Sequence, residues 1–141
     1  MLVEDNPGHA RLVQKNLQRA KIGNKFVMAE DGQQAIDYFF NQDGSVRNNA
    51  QNPHLILLDL NLPGMDGYQV LRRLKETPDT KHIPVIVLTT TDNPDELEHC
   101  YELGCNAYIT KPVEYEAFSE AIQRLGLFLL VASLPGGSER S

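Results

Sequence analysis

The chain has no tryptophan and only two cysteines, Cys100 and Cys105, in 141 residues. Two cysteines so close together cannot staple a fold, and His99 alone does not complete a zinc pattern with them. They are expected to be small buried packers in a reducing compartment. Positive charge is scarce as well: 13 Lys and Arg stand against 19 Asp and Glu, a formal net charge of −6. That balance argues against non-specific nucleic-acid binding, which needs a basic face to displace counterions from phosphates. Long apolar runs are missing too. The stretch from Leu127 to Ala132 falls far short of the roughly 20 residues that a membrane-spanning helix requires. No basic-then-apolar leader opens the chain, so a cytoplasmic protein without a membrane anchor is expected.

What remains is an ordinary globular composition, 41% hydrophobic and 23% charged, in one domain long enough to bury a core without disulfides or structural metal. Strand-like and helix-like segments alternate. "MLVED" is a short apolar run ending in acids. In "NPGHARLVQKNLQRA", Asn6 can cap a helix with Pro7 in its first turn, where a missing N–H costs nothing. Leu12, Val13, Leu17 and Ala20 can form its apolar face. "KFVMA" is a second strand, and Ala35, Ile36, Phe39 and Phe40 mark one side of a helix over 33–40. The polar stretch 41–53 predicts a surface loop. "HLILLD" and "IPVIVLT" lack alternation, which suits strands buried on both faces. Between them Asp66 can cap a helix running to Glu76, with Val70, Leu71 and Leu74 inward. Asn93-Pro94 starts another helix, and Gly104 can end it. "AYIT" is a fifth strand, with a helix from about Tyr115. Five such alternations imply a doubly wound α/β fold, a five-stranded parallel sheet with helices on both faces.

Function in such folds gathers at the carboxyl ends of the strands. Those ends carry Glu4 and Asp5, then Asp59, then Thr89 with Thr90, then Thr110 and Lys111. Taken singly, each is unremarkable: a solvated cap, a surface lysine, a strand threonine. Together they are a chemical set. Three converging carboxylates repel one another and raise each other's pKa unless a positive charge joins them. A hard cation such as Mg²⁺ fits, because it takes a few carboxylate oxygens and keeps water and phosphate as its other ligands. With Lys111 as a second positive charge and Thr89 as a hydroxyl, the set suits a phosphoryl group attacked by Asp59.

On these residues the chain resembles the receiver domain of the two-component response-regulator family over residues 1–131, with 132–141 as a C-terminal extension or tail. "VED" resembles the acidic pair, "LLDLNLPGMDG" the phosphoacceptor segment, "PVIVLTT" the hydroxyl-bearing strand and "AYITKP" the lysine-proline segment. The resemblance implies a flavodoxin-like strand order, 2-1-3-4-5. It implies Asp59 as the phosphorylated aspartate, Asp5 as a direct Mg²⁺ ligand and Glu4 as one through water, with the Asn61 main-chain carbonyl as a further ligand. Thr89 and Tyr108 would be a switch pair, and Lys111-Pro112 a cis peptide. Only Met1, Leu2 and Val3 precede the acidic pair, where family members usually have several residues, so a shortened first strand is expected. More narrowly, "EDNPGHARLVQ", the long polar loop, "VLTTT" and a C-terminal "SLP" resemble single-domain response regulators of bacterial phytochrome histidine kinases. The implied role is a phosphoacceptor, not an enzyme, that receives its phosphoryl group from a histidine kinase and signals through protein contacts, since no DNA-binding or catalytic segment follows.

Other classes fit less well. A haloacid-dehalogenase-type phosphatase needs a second acid two residues after its nucleophile, and that position is Asn61. A flavodoxin-like cofactor site needs a first loop that cradles phosphate with N–H groups and hydroxyls, whereas "EDNPGH" offers two carboxylates. A phosphorylation-independent interaction module would not need Asp59, Thr89 and Lys111 together. Beyond Phe118, Ile122, Leu125 and Leu129, which follow one helical face, Leu127, Leu130, Val131 and Leu134 form a second apolar stripe. Such a stripe usually marks a contact, so a homodimer through the C-terminal helix is expected.

Overall fold

The computed structural model describes residues 1–20, 27–47 and 52–125. Among them the chain runs β1 (Leu2–Val3), α1 (Pro7–Arg19), β2 (Met28–Ala29), α2 (Gly32–Phe39), β3 (Ile56–Asp59), α3 (Gly67–Glu76), β4 (Val85–Thr89), α4 (Pro94–Leu103), β5 (Ala107–Thr110) and α5 (Tyr115–Arg124). The strands form one parallel sheet in the order β2-β1-β3-β4-β5. This is the expected doubly wound arrangement. β1 is only two residues long, yet it pairs with both β2 and β3.

Alternation along the strands divides the core into two layers. Val3, Ile56, Leu58, Val85 and Val87 pack with Phe39 of α2, with Val70, Leu71 and Leu74 of α3, and with Cys100 of α4. Leu2, Leu57, Ile86, Leu88 and Ile109 point the other way, onto Ala10, Val13 and Leu17 of α1 and Phe118, Ala121 and Ile122 of α5. Both faces of the central strands are therefore covered, which explains their unbroken apolar runs. Cys100 and Cys105 are buried free thiols, and burial pushes Cys105 up to about 12. No helix among the described residues is long and apolar enough to cross a membrane.

Local signals set the helix ends. The Asn6 side chain accepts from the N–H groups of Gly8 and His9, and Asp66 forms a capping box with Gln69. Gly104 closes α4 at φ 110°, a left-handed conformation that disfavours a side chain. One apolar face differs from expectation. Leu12 is only half-buried, while Asn16 lies inside, because its amide donates to the Val113 carbonyl at 2.7 Å and so satisfies itself where an apolar residue was expected. The second C-terminal stripe, Leu127 to Leu134, lies outside the described residues, as do Lys25 and Phe26 of the second strand segment.

Helix α3 starts hard against the end of β3. The Gly67 N–H donates to the Leu60 carbonyl at 3.0 Å, and a Cβ on Gly67 would lie 2.5 Å from the Asp59 carbonyl oxygen and 2.6 Å from Leu60 Cα. Both neighbours are backbone and cannot swing aside. Gly67→Ala should therefore destabilise the fold by roughly 1–3 kcal/mol through overpacking, read as a lower urea midpoint at unchanged slope. An unchanged midpoint would mean that the α3 start can slide away from β3.

Candidate functional site

The carboxyl ends of β1, β3 and β5 bring their charged residues together. Glu4 follows β1, Asp59 ends β3 and Lys111 follows β5; alternation turns all three toward the α1 side of the sheet, as it does Leu2, Leu57 and Ile109. Lys111 Nζ lies 2.9 Å from Asp59 Oδ2 and 2.7 Å from Glu4 Oε1. The side chains are 7%, 2% and 0% exposed for Lys111, Asp59 and Glu4 respectively, so the ion pairs are shielded from water. Asp5 is exposed, but one of its carboxylate oxygens lies within 4.8 Å of those of Glu4 and Asp59.

Two carboxylates share one ammonium, which leaves a buried negative charge uncompensated. Burial raises the Glu4 pKa, and the adjacent Asp59 carboxylate adds to the rise, against the pull of Lys111 and the Asn6 N–H. Burial works to lower the Lys111 pKa, but contact with Glu4 and Asp59 outweighs it and the net shift is upward. The lysine thus stays charged. Glu4 Oε2 accepts from the Asn6 N–H at 3.2 Å. Glu4 Oε1 has the ammonium nearby but no hydrogen bond of acceptable geometry, and it is a buried polar atom left unsatisfied. A buried oxygen of this kind beside two further carboxylates fits a hard divalent cation and its waters. Glu4, Asp5 and Asp59 are the residues that could hold one.

Asn61 is exposed two positions beyond Asp59, and its N–H donates to Asp59 Oδ1 at 3.0 Å, so both Asp59 oxygens have partners. Lys111-Pro112 is cis. Thr89 is buried at the end of β4, and its hydroxyl oxygen accepts from the Thr91 N–H at 3.1 Å. It lies on the face of the sheet that Val87 and Tyr108 share, opposite α4. Tyr108 is half-buried there and meets the Tyr101 ring edge-on, with centroids 6.1 Å apart. The acids and the lysine therefore form one cluster, with the threonine and tyrosine on the other face of the neighbouring strands.

Two residues of this neighbourhood were not anticipated from sequence. His9, in the first turn of α1, places Nδ1 at 3.1 Å from Lys111 Nζ and 3.8 Å from Glu4 Oε2. Asn16, also on α1, bonds the Val113 carbonyl just after the lysine segment. The available signal was positional: a helix that starts directly after the acids at the β1 end must place its first turn over them.

Known proteins are similar to this chain in sequence and fold. Residues 1–123 match a family model described as the response regulator receiver domain. Response regulator Rcp1 from Synechocystis sp. is 42% identical over 130 residues, covering 92% of this chain and 87% of its own length. The Mn²⁺-bound crystal form of Rcp1 has a TM-score of 0.72 at 40% identity, with 92% of this chain and 91% of that chain covered. A response regulator receiver domain from Rhodospirillum rubrum is 50% identical with a TM-score of 0.77, covering 92% of each chain. The phosphorylated cyanobacterial phytochrome response regulator RcpA is 40% identical with a TM-score of 0.74, covering 95% of each.

The raised Glu4 pKa fixes the sign of a linkage. A carboxyl favoured in its protonated form stabilises the fold below its unfolded pKa, and that contribution is lost as pH rises through the folded value. At neutral pH the cation-free protein is thus held below its potential stability, and a divalent ion should restore it. At tenfold excess over the dissociation constant, Mg²⁺ or Mn²⁺ should add about 1.4 kcal/mol, a rise of a few degrees in Tm by calorimetry. The gain should shrink at pH 5, where protons compete for the same oxygens. An equal rise in a Glu4→Gln, Asp5→Asn double variant would place the ion elsewhere.

Proposed function

Because the chain belongs to the response regulator receiver domain family, we propose that Asp59 is its phosphoacceptor, receiving a phosphoryl group from the phosphohistidine of a histidine kinase. The observation that carries this reading is the buried Asp59 carboxylate with Lys111 Nζ 2.9 Å from Oδ2 and two further acids within 4.8 Å. Mg²⁺ bound by Asp5 and Asp59, by Glu4 through water and by the Asn61 carbonyl would offset the charge of an incoming phosphoryl group. Asp59 attacks phosphorus as the phosphorus–nitrogen bond of the donor breaks, and the leaving imidazole takes up a proton. Lys111 is already in place to meet a phosphoryl oxygen, so its charge acts without reorganisation. The Asn61 N–H on Oδ1 keeps the carboxylate from rotating.

An enzymatic phosphatase of the haloacid-dehalogenase type is not favoured. Its general acid would stand at Asn61, an amide that cannot protonate a leaving group, and whose backbone is spent on Asp59. The receiver instead stores the phosphoryl group as a signal. Similarity to Rcp1 and RcpA supports a phytochrome-type kinase as the phosphodonor. The apolar stripe from Leu127 to Leu134 supports a homodimer through α5 and its extension, with the receiver taken as residues 1–131. The site is suited to a cytoplasmic relay.

Asp59→Asn should retain the fold and abolish acid-stable, hydroxylamine-sensitive labelling by acetyl phosphate or phosphoramidate, and labelling of the wild type should fall to background with EDTA. Undiminished labelling of the Asn variant would remove Asp59 from the reaction.

Output is proposed to run through Thr89 and Tyr108. A phosphoryl group on Asp59 offers new acceptors to the Thr89 hydroxyl, and the space it leaves lies on the face where Tyr108 packs. The Thr89 hydroxyl oxygen now anchors the β4–α4 loop through Thr91, whose own hydroxyl reaches Glu96 at 3.4 Å. Movement of Thr89 would therefore be felt at the start of α4. Thr89→Ala should still be labelled, but the tenfold or greater change in partner affinity that phosphorylation typically produces should collapse to less than about twofold by titration calorimetry. A full response in that variant would route the coupling elsewhere.

A further inference from the structure

We propose that His9 is a positioning residue for the phosphoryl chemistry, accepting a hydrogen bond from Lys111 through Nδ1 and so holding the ammonium between Glu4 and Asp59. The inference rests on Asp59 being the phosphoacceptor and adds a residue to that site.

An ammonium carries three donors and no acceptor. Three groups surround Lys111 Nζ: Glu4 Oε1 at 2.7 Å as an ion-pair partner, Asp59 Oδ2 at 2.9 Å as a hydrogen-bond acceptor and His9 Nδ1 at 3.1 Å. The first two are fixed to strand ends. The third comes from α1, so it closes the side of the lysine that the sheet cannot reach. His9 can serve because its backbone is held: its N–H donates to the Asn6 side chain at 3.1 Å, and α1 is seated on the sheet through Ala10 and Val13. Its side chain is 43% exposed while that of Lys111 is 7% exposed, so the imidazole stands between the ammonium and water. As an acceptor toward an ammonium, Nδ1 carries no hydrogen, which leaves the ring proton on Nε2.

The consequence is kinetic. A lysine head sits on a flexible stem, and an ammonium free to swing toward solvent must be recovered in each transfer. Pre-placed charge is worth most where it need not move during the reaction. His9 touches neither phosphorus nor the Asp59 oxygens in this arrangement; it acts through the lysine. Asn16, one helical stretch further along α1, holds the Val113 carbonyl and so steadies the backbone of the same segment.

The test uses the full chain, phosphoramidate as donor and saturating Mg²⁺, with formation of the aspartyl phosphate followed by intact mass. His9→Leu removes the acceptor but keeps bulk, whereas His9→Asn places an amide oxygen where Nδ1 stood. His9→Leu should slow labelling by roughly three- to tenfold, and His9→Asn should stay within about twofold of wild type. Thermal melting of each variant, run alongside, should change little. In a Lys111→Met background, His9→Leu should have no further effect on the residual rate. Wild-type labelling by the Leu variant, equal losses in Leu and Asn, or a full Leu effect without the lysine would each overturn the assignment. Those outcomes leave phosphorylation of Asp59 standing; absence of any label on wild-type Asp59 would instead defeat the phosphoacceptor reading and the His9 role with it.

Discussion

The shared Lys111 ammonium is the interaction on which the rest of the site depends. Glu4 and Asp59 are both buried, and each would be costly to hold charged without a partner. One ammonium between them makes the pair tolerable but does not neutralise it. The remaining negative charge, with Glu4 Oε1 left unsatisfied, gives the cluster an affinity for a second positive charge. An incomplete balance of this kind suits a hard divalent ion, and on the proposed reading that ion would let an anionic group approach.

The fold supplies the rigidity that such a balance needs. Because both faces of β1, β3 and β4 are covered by helices, their carboxyl ends cannot drift independently. Gly67 lets α3 begin in contact with the Asp59 backbone, and the Asn61 N–H locks Oδ1. On the opposite side α1 contributes His9 and Asn16 to the lysine segment. Charged groups thus stand on elements anchored by apolar packing on one side and by hydrogen bonds on the other.

The face bearing Thr89 and Tyr108 is connected differently. The Thr89 hydroxyl oxygen is engaged with Thr91, Thr91 reaches Glu96, and the Tyr68 hydroxyl reaches the other Glu96 oxygen at 3.5 Å. These contacts are long and mostly exposed, hence individually weak. Weak links between a buried hydroxyl and the α3–α4 surface suit the proposed relay through Thr89, since a strong network would resist displacement. Tyr108 is half-buried and meets Tyr101 edge-on on the same face.

The unbroken apolar runs of β3 and β4, the Asn-Pro helix starts and the Gly104 stop made the parallel α/β architecture legible from sequence, because they are local or periodic signals. The strand-end rule then located Glu4, Asp5, Asp59, Thr89 and Lys111, since strand ends in such a sheet share one edge whatever lies between them. His9 and Asn16 were not legible. A histidine and an asparagine on an amphipathic helix have no local pattern that distinguishes a solvated residue from one turned onto the Lys111–Val113 segment about a hundred positions away. Sequence by itself determined the elements, their order and the charged set at one edge of the sheet. Only tertiary packing decided which oxygens share the ammonium, which one is left without a hydrogen bond and which helix closes the site, because those depend on distances that arise once both faces of the sheet are covered.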